Sequence, residues 1–309
     1  MGIVKAEDVA YVRFAAPDLG AMRAFLEDFG LAPVASSDDG RLFMRGAGPG
    51  PFLHATEPGD AGFRALGLRL ESLADLERLA AHEGVAVTPL EAPGGGFVAA
   101  LADPDGHRVE AVAGQTPAAP LPLDPPASWN DAHAHRRLRA TKRIAAGPAR
   151  VTRLGHCVLN VSNFRASEAW YKDRFGFITS DEVALNPQLS IAAFLRCDRG
   201  PAPTDHHTLF LLQNPRGPGF NHAAFEVADF EELMRGHDHL AAARRSAAWG
   251  VGRHVLGSQV FDYWRDPWGH TLEHWTDGDL FAAEDGSRTV SPRDLVAVQW
   301  GPTMPPDFG

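Results

Sequence analysis

Three polar side chains interrupt apolar, strand-like runs in the second half of the sequence. They are His156, His222 and Glu273. A single histidine in such a run is more often structural or exposed than a ligand. Two histidines and a carboxylate, each on its own strand of one domain, are the facial ligand set of a non-haem Fe(II) site with open positions. The three residues together therefore predict a divalent metal centre.

His222 is the clearest of the three, because it lies in the run Gly-Phe-Asn-His-Ala-Ala-Phe-Glu-Val. Successive side chains of a strand point to opposite faces. Ala223, Phe225 and Val227 therefore share one face, while His222 and Ala224 share the other. His222 points away from the apolar face of its own strand.

The segment 252–275 carries Glu273 together with His254 and Tyr263. Two alternating runs flank Asp266-Pro267-Trp268-Gly269, in which proline fixes φ and glycine supplies a positive φ, as in a tight β turn. We therefore expect Glu273 on a strand. A buried carboxylate is costly unless it is paired or bound to a metal, so Glu273 needs a partner.

The elements that must position these residues occur twice along the chain. Phe29-Gly30-Leu31 corresponds to Phe175-Gly176-Phe177, and the turn Asp103-Pro104-Asp105-Gly106-His107 corresponds to Asp266-Pro267-Trp268-Gly269-His270. A repeat of roughly 150 residues is too long for a solenoid unit and indicates a duplicated domain. The patterns predict helices at 18–29, with Asp18 as N-cap, at 73–82 and at 163–175, and strands at 8–15, 41–45, 51–55, 63–70, 97–102, 108–113 and 153–161.

The first copy serves as an internal control for the predicted ligands. Its residues at the corresponding positions are Tyr11, Ala65 and Glu110, so two of the three ligands are absent. If the fold required the histidines, the first copy would also have them. The difference favours a functional role for His156 and His222, and leaves Glu110 as a structural or rim carboxylate.

The other histidines have simpler interpretations. His107 and His270 lie in a turn that occurs in both copies, so we interpret them as turn residues. Four more are expected to be solvated: His133, His135, His237 and His239.

Composition bounds the class of protein. The chain has 309 residues, 44% hydrophobic and 22% charged, with a formal net charge of −10, as in a globular protein long enough for two domains. Without a basic stripe, this charge argues against nucleic-acid binding. Cys157 and Cys197 lie in apolar runs, and the sequence shows neither a signal-peptide pattern nor 18 consecutive apolar residues. We therefore expect a cytoplasmic protein without a membrane span.

The composition changes along the chain and suggests four parts. They are an N-terminal non-catalytic domain at 1–116, a linker at 117–150, a C-terminal metal-binding domain at 151–285 and a tail at 286–309. The linker is basic and rich in proline, including Pro125 and Pro126, as connecting segments often are. The proline-containing tail is expected to be irregular.

On these residues the sequence resembles the type I extradiol catechol dioxygenases of the vicinal oxygen chelate superfamily, over nearly its whole length. The resemblance implies an α+β fold of two tandem domains, each of paired βαβββ modules (the glyoxalase-like fold), with Fe(II), or alternatively Mn(II), in the C-terminal domain. The family's functional positions fall on the metal ligands His156, His222 and Glu273 and on the pocket residues His207, His254 and Tyr263.

The resemblance also implies the chemistry. These enzymes chelate a catechol at the metal, bind O2 beside it and cleave the ring next to the two hydroxyls. His207 would take and return a proton, while His254 and Tyr263 would hydrogen-bond the oxygens. Simpler roles stay open: His206 and His207 as a surface pair, with His206 the bystander, His254 as a loop residue and Tyr263 as a packed aromatic.

Other members of the superfamily fit less well. A glyoxalase or a thiol-transfer resistance enzyme usually assembles its metal site from different copies, whereas here all ligands fall in one copy. A 4-hydroxyphenylpyruvate dioxygenase shares the ligands, but His254 with Tyr263 fits the catechol enzymes better. An aromatic-sequestering binding protein would have lost the ligands. The expected partners are a catechol and O2, without nucleic acid or membrane, in a homo-oligomer.

The substrate class follows from the segments expected to line the pocket. Segments 186–194 and 251–263 and the tail around Trp300 are rich in apolar residues. A pocket for a carboxylated catechol would ordinarily present an arginine or lysine, and only Arg253 is available there. We therefore predict a catechol with a bulky apolar substituent.

Overall fold

A computed structural model describes residues 2–34, 40–123, 128–306 and 308 of the chain. Pro125 and Pro126 of the predicted linker lie outside the described residues. The described part combines large sheets with a few helices, so the predicted α+β class is confirmed. The domain boundaries at 116, 150 and 285 stay predictions.

The first half forms one sheet with two helices packed on it. In chain order its elements are β1 (Ala6–Ala16), α1 (Leu19–Asp28), β2 (Ala32–Pro33), β3 (Leu42–Arg45), β4 (His54–Pro58), β5 (Gly62–Leu70), α2 (Leu73–Glu83), β6 (Val87–Pro89), β7 (Phe97–Ala102) and β8 (Arg108–Ala113). Among the described residues the strand order is β2-β3-β4-β1-β5-β8-β7-β6. Two βαβββ units therefore meet where β1 pairs with β5.

The second half repeats this plan. Its elements are β9 (Val151–Val161), α3 (Phe164–Phe175), β10 (Ile178–Asn186), β11 (Leu189–Arg196), β12 (Thr204–Asp205), β13 (Leu209–Gln213), β14 (Gly219–Val227), α4 (Phe230–Ala242), β15 (Ser246–His254), β16 (Val260–Arg265), β17 (Thr271–Thr276), β18 (Leu280–Phe281), β19 (Arg288–Val290), α5 (Pro292–Val296) and β20 (Val298–Trp300). Over the described residues the main sheet has the order β19-β10-β11-β13-β9-β14-β17-β16-β15-β20, and β12 pairs with β18.

Capping residues set the helix boundaries that the sequence predicted. The Asp18 side chain accepts from the Ala21 N–H at 2.9 Å and begins α1, and the Asn163 side chain accepts from the Ala166 N–H at 3.1 Å and begins α3. Gly176 ends α3 with a φ of 67°, a left-handed conformation that favours glycine. No helix in the described ranges is long and apolar enough to cross a membrane.

The two halves share one hydrophobic core at their junction. The Phe14 ring from the first half meets the Phe220 ring edge-on, with centroids 5.1 Å apart. The His274 Nε2–H donates to the backbone oxygen of Phe29 at 2.6 Å. Because His274 follows Glu273 on β17, the first half holds that strand from the face opposite Glu273.

The expectation of an irregular tail is wrong for residues 288–300, while the described residues after 300 lie outside helices and strands. Strand β19 pairs with β10 at one edge of the C-terminal sheet, β20 pairs with β15 at the other edge, and α5 connects the two strands. Ser291 caps α5 with a reciprocal capping box. The tail therefore crosses the second half from edge to edge. A proline count does not predict this arrangement, because the strand partners lie far away in sequence.

Candidate metal centre

Strand pairing places the three predicted ligands on one face of the C-terminal sheet. Ala224 on β14 pairs with His156 on β9 and with Glu273 on β17. His222 lies two residues before Ala224, so the alternation of a strand gives it the same face. Because Ala224 carries only a methyl group, the space between the longer flanking side chains stays open above it.

The candidate ligand atoms lie close enough to share one ion. Glu273 Oε2 lies 3.2 Å from His156 Nε2 and 3.3 Å from His222 Nε2, and the ligand atoms all lie within 4.8 Å of one another. Glu273 is fully buried, and although Oε2 lies within ion-pair distance of both imidazoles, neither carboxylate oxygen accepts a well-formed hydrogen bond from the described residues. Such a carboxylate is costly unless a cation satisfies it. Two imidazoles and a carboxylate therefore fit a divalent metal.

A hydrogen bond behind the cluster orients His222. Its Nδ1 lies 2.8 Å from the Asn221 side-chain oxygen, and the Asn221 amide donates to the Asn160 side-chain oxygen at 3.2 Å. A proton on Nδ1 leaves the Nε2 lone pair for a metal. Burial lowers the pKa of His222, and Glu273 offsets this only in part. His222 is therefore a neutral imidazole with Nε2 directed at the cluster.

The same register in the first half holds a closed polar group. Tyr11 pairs with Gly67, which pairs with Glu110, and a Cβ at Gly67 would lie 2.8 Å from the Tyr11 ring. The Tyr11 hydroxyl donates to Glu110 at 2.7 Å, and Arg13 and Arg108 donate to the same carboxylate at 3.0 and 2.7 Å. The carboxylate is thus satisfied without a metal, in agreement with the structural interpretation of Glu110.

A cavity lies in front of the cluster and is lined by His156 and His222. The predicted pocket residues His207, His254 and Tyr263 line it as well. Its described lining contains no Asp, Glu, Lys or Arg side chain. The apolar lining residues are Val158, Phe194, Phe210, Leu212, Trp249, Leu256, Leu295, Val296, Met304 and Phe308.

His254 and Tyr263 form a hydrogen-bonded pair beside the ligands. His254 Nε2 lies 2.9 Å from the Tyr263 hydroxyl, and Tyr263 pairs with Glu273 across β16 and β17, which gives it the ligands' face. Burial lowers the pKa of His254 to about 4. Burial also raises the pKa of Tyr263 well above its ordinary value, and the Glu273 charge raises it further. Both groups are therefore neutral near pH 7 and available as hydrogen-bonding groups.

The alternative of a surface pair at His206 and His207 is wrong, because both side chains are buried. The His207 ring lies 4.0 Å from the His156 ring, and His206 lies behind it with 3.1 Å between the two Nδ1 atoms. Burial lowers the pKa of His207. The involvement of His206 was missed because its carboxylate partner, Asp181, lies 25 residues earlier in no recognisable motif.

The walls of the cavity differ from those expected. Arg253 donates to Asp277 at 2.7 Å and does not line the cavity. Segment 186–194 contributes only Phe194, and Trp300 is 43% exposed and lies outside the lining. The tail contributes instead through residues on either side of Trp300.

Comparison with known proteins places the second half in a defined group. Residues 153–274 match the sequence model of the Glyoxalase/Bleomycin resistance protein/Dioxygenase superfamily. This range contains His156, His222 and Glu273. The chain therefore contains a domain of that superfamily.

A relative of known name supports the assignment to this superfamily. Metapyrocatechase 2 from Cupriavidus necator is 33% identical over 218 residues, which are 67% of this chain and 61% of that protein. The chain thus spans less than two thirds of this relative's length.

Two solved structures are similar to the whole fold. The Mn(II)-bound glyoxalase from Novosphingobium aromaticivorans has a TM-score of 0.80 at 24% identity, covering 99% of this chain and 95% of that chain. The 2,3-dioxygenase LapB from Pseudomonas sp. KL28 has a TM-score of 0.77 at 19% identity, covering 94% and 99%. At these identities the likeness establishes the shared fold, and the predicted glyoxalase-like fold is confirmed.

Proposed function

We propose that the protein is an extradiol ring-cleaving dioxygenase, an Fe(II) enzyme that inserts both atoms of O2 into a catechol with an apolar substituent. The observation that carries this proposal is the buried cluster of His156, His222 and Glu273 facing an apolar cavity. The naming of its 33% identical relative as metapyrocatechase 2 supports it. The same ligand set also accommodates Mn(II), which is the alternative metal.

The three ligands and the cavity walls would have different roles, the first in metal binding and the second in substrate binding. His156, His222 and Glu273 would hold the ion, with Glu273 supplying the negative charge. Bound Fe(II) would supply the Lewis acidity and the redox chemistry that a catechol and O2 require. The apolar walls would bind the ring and exclude water, which strengthens every polar interaction at the ligand end of the cavity.

His207 is the proposed acid–base group. It lines the cavity beside His156, and burial, followed by the neighbouring histidines, lowers its pKa. The neutral ring can therefore accept a proton from a catechol hydroxyl and return it later in the cycle. An imidazolium formed in this place would be unstable until it gives the proton back.

The pair of His254 and Tyr263 would position the substrate oxygens. Both side chains line the cavity, and their 2.9 Å hydrogen bond fixes the direction of the tyrosine hydroxyl. Preorganised donors of this kind stabilise charge that develops on oxygen during a reaction.

The activity can be tested with protein reconstituted with Fe(II) in the absence of air. The reconstituted protein is mixed with 3-phenylcatechol and then with O2, and His222→Ala treated with the same iron serves as the control for free metal. We expect one O2 consumed per catechol and a yellow ring-opened product. Catechol that binds but survives oxygenation would indicate a sequestering protein, and consumption of 4-hydroxyphenylpyruvate instead would indicate the related dioxygenase. The homo-oligomeric state and the cytoplasmic location stay predictions.

A further inference from the structure

A row of buried polar side chains continues behind His207, away from the cavity. His206 Nδ1 lies 3.1 Å from His207 Nδ1, and His206 Nε2 lies 2.9 Å from Asp181 Oδ2. Asp181 and His206 are fully buried, and His207 is 3% exposed. The row therefore connects a carboxylate to the proposed acid–base histidine through a single intervening ring.

Asp181 at the inner end of the row is ionised and its charge is balanced. Arg288 on β19 donates to Asp181 Oδ1 and Oδ2, each at 2.9 Å. Burial raises the pKa of Asp181, but the bonds from His206 and Arg288 outweigh it and hold that pKa below its ordinary value. The guanidinium of Arg288 therefore balances the charge of the Asp181 carboxylate.

The hydrogen bonds dictate where the protons of the row lie. A carboxylate only accepts, so the proton shared with Asp181 belongs to His206 Nε2. With that proton on Nε2, the neutral form of His206 has its lone pair on Nδ1, 3.1 Å from His207 Nδ1. The bond between the two Nδ1 atoms therefore takes its proton from His207. In the neutral His207 ring this leaves Nε2 as the unprotonated nitrogen.

The surroundings hold the His206 ring in this orientation. The backbone N–H of His206 donates to the backbone oxygen of Asp279 at 2.9 Å, and the backbone oxygen of His206 accepts from Ser180 Oγ at 2.6 Å. The Phe194 ring packs at a tilt against the His206 imidazole, with ring centroids 5.1 Å apart. A Cβ at Gly257, where φ is +76°, would come within 3.0 Å of His206 Nδ1. The backbone there packs closely against the imidazole.

We propose that His206 is a positioning residue which, through Asp181, fixes His207 as the Nδ1–H tautomer, so that His207 keeps Nε2 as a proton acceptor. The catalytic meaning of this arrangement rests on the proposed function. In the opposite tautomer, His207 would present an N–H donor from Nε2 and lose its capacity to take a hydroxyl proton there. The hydrogen bonds of this row are present in the folded protein without substrate, so the tautomer of His207 can be measured in the resting protein.

The tautomer is measurable by NMR. Protein with ring-15N-labelled histidine is loaded with Zn(II) as a diamagnetic substitute, and two-bond 1H–15N correlations identify the protonated nitrogen of each ring. The His207 signals are assigned by their loss in His207→Phe. We expect His207 to carry its proton on Nδ1 in the wild-type protein. A proton on Nε2 instead, as a doubly protonated His206 would impose, overturns the proposal without any variant of His206.

Two substitutions separate the hydrogen bond from the bulk of the ring. In His206→Asn the side-chain oxygen replaces Nδ1 as acceptor, so His207 keeps the Nδ1–H tautomer. In His206→Phe no acceptor remains, so we expect His207 to populate the Nε2–H form. The matched control is His237→Phe, which removes another carboxylate-bonded histidine: His237 on α4 has its Nδ1 3.2 Å from the carboxylate of Asp262 on β16. An unchanged His207 tautomer in folded His206→Phe would contradict the proposal.

Turnover provides the second readout. We expect His206→Phe to lower kcat by about 10- to 100-fold, as losses of supporting hydrogen bonds do, with little change in KM and in metal content. His206→Asn should restore most of kcat, and His237→Phe should leave it unchanged. A wild-type protein that cleaves no catechol would refute the proposed function while leaving the tautomer result standing. Equal loss of kcat in the Asn and Phe variants would overturn the positioning role.

Discussion

The Phe308 ring meets the Tyr263 ring nearly edge-on, with centroids 4.9 Å apart and an interplanar angle of 76°. Phe308 also packs on Trp249 at 5.2 Å, so the end of the chain forms part of the cavity wall over the proposed ligands. If the cavity binds the substrate as proposed, the tail that crosses the second half would contribute to that binding.

We expect Phe308→Ala to weaken the binding of an apolar catechol. Loss of one aromatic contact of about 0.5–1.5 kcal/mol corresponds to up to about a 10-fold rise in KM. Because Phe308 packs on the Tyr263 ring and near His222, while the ring contacts of the proposed acid–base residue His207 are with His156, Phe194 and His206, kcat should change less than KM. Steady-state kinetics with 3-phenylcatechol measures both. A large fall in kcat at unchanged KM would show that the tail acts in another way.

His207→Phe should retain the metal and bind catechol but turn over about 10²- to 10⁴-fold more slowly, the usual loss for an acid–base group. The loss should exceed that of His206→Phe, because His207 lines the cavity and His206 lies behind it. Iron analysis and single-turnover kinetics test this order. Near-normal turnover by His207→Phe would remove the residue from the proposed chemistry.

Much of this site could be predicted from local pattern. Alternation placed His222 and Glu273 on strands, and the repeat aligned Glu273 with Glu110, as the registers of β14–β17 and β5–β8 show. The local pattern does not show which residues far apart in sequence form side-chain contacts. The bonds from Arg288 to Asp181 span 107 residues, and nothing in either segment alone indicates the other.

The orientation of side chains near strand ends was equally beyond the sequence. Arg253 precedes His254, and alternation alone did not decide which of them faces the cavity. The structure turns Arg253 toward Asp277 and Ser258 and leaves His254 at the cavity. The absence of an ionic side chain from the described lining therefore strengthens the substrate prediction that Arg253 had left open.

The substrate prediction is a preference for apolar catechols over carboxylated ones. Each additional methylene buried in the cavity should improve binding by ~0.8 kcal/mol, or roughly fourfold. Comparison of kcat/KM for 3-methyl-, 3-propyl- and a carboxylated catechol tests this series. Arg253→Ala should leave the ranking unchanged, because the arginine pairs with Asp277 outside the cavity. A preference for the acid that disappears in Arg253→Ala would refute the prediction.

The protein should lose stability on mild acidification through His54. This side chain is buried at the junction of the halves and stacks on Phe14 at 4.9 Å. Burial lowers its pKa to about 3, and Asp266 opposes this only in part. An unfolded histidine takes up its proton near pH 6.5. Below that pH the unfolded state binds more protons, so the free energy of unfolding falls as pH falls.

Between pH 7 and pH 5 this single group should cost about 2 kcal/mol of stability. His54→Phe removes the titrating group. The free energy of unfolding of this variant should therefore fall by about 2 kcal/mol less than that of the wild type between pH 7 and pH 5, whatever the stability of the variant at pH 7. Urea unfolding of both proteins at the two pH values gives the comparison. Parallel pH dependence in the two proteins would rule out His54 as the source.

The metal content of His222→Ala tests the central claim most directly. Wild-type protein, His222→Ala and the control His133→Ala, an exposed histidine outside the cluster, are reconstituted with Fe(II) without air, freed of unbound metal and analysed for iron per chain. Circular dichroism verifies that each variant is folded. We predict about one iron per chain in the wild type and in His133→Ala, and essentially none in His222→Ala, because the remaining imidazole and carboxylate hold the ion too weakly. Full iron occupancy in folded His222→Ala would contradict the assignment of His156, His222 and Glu273 as the metal centre.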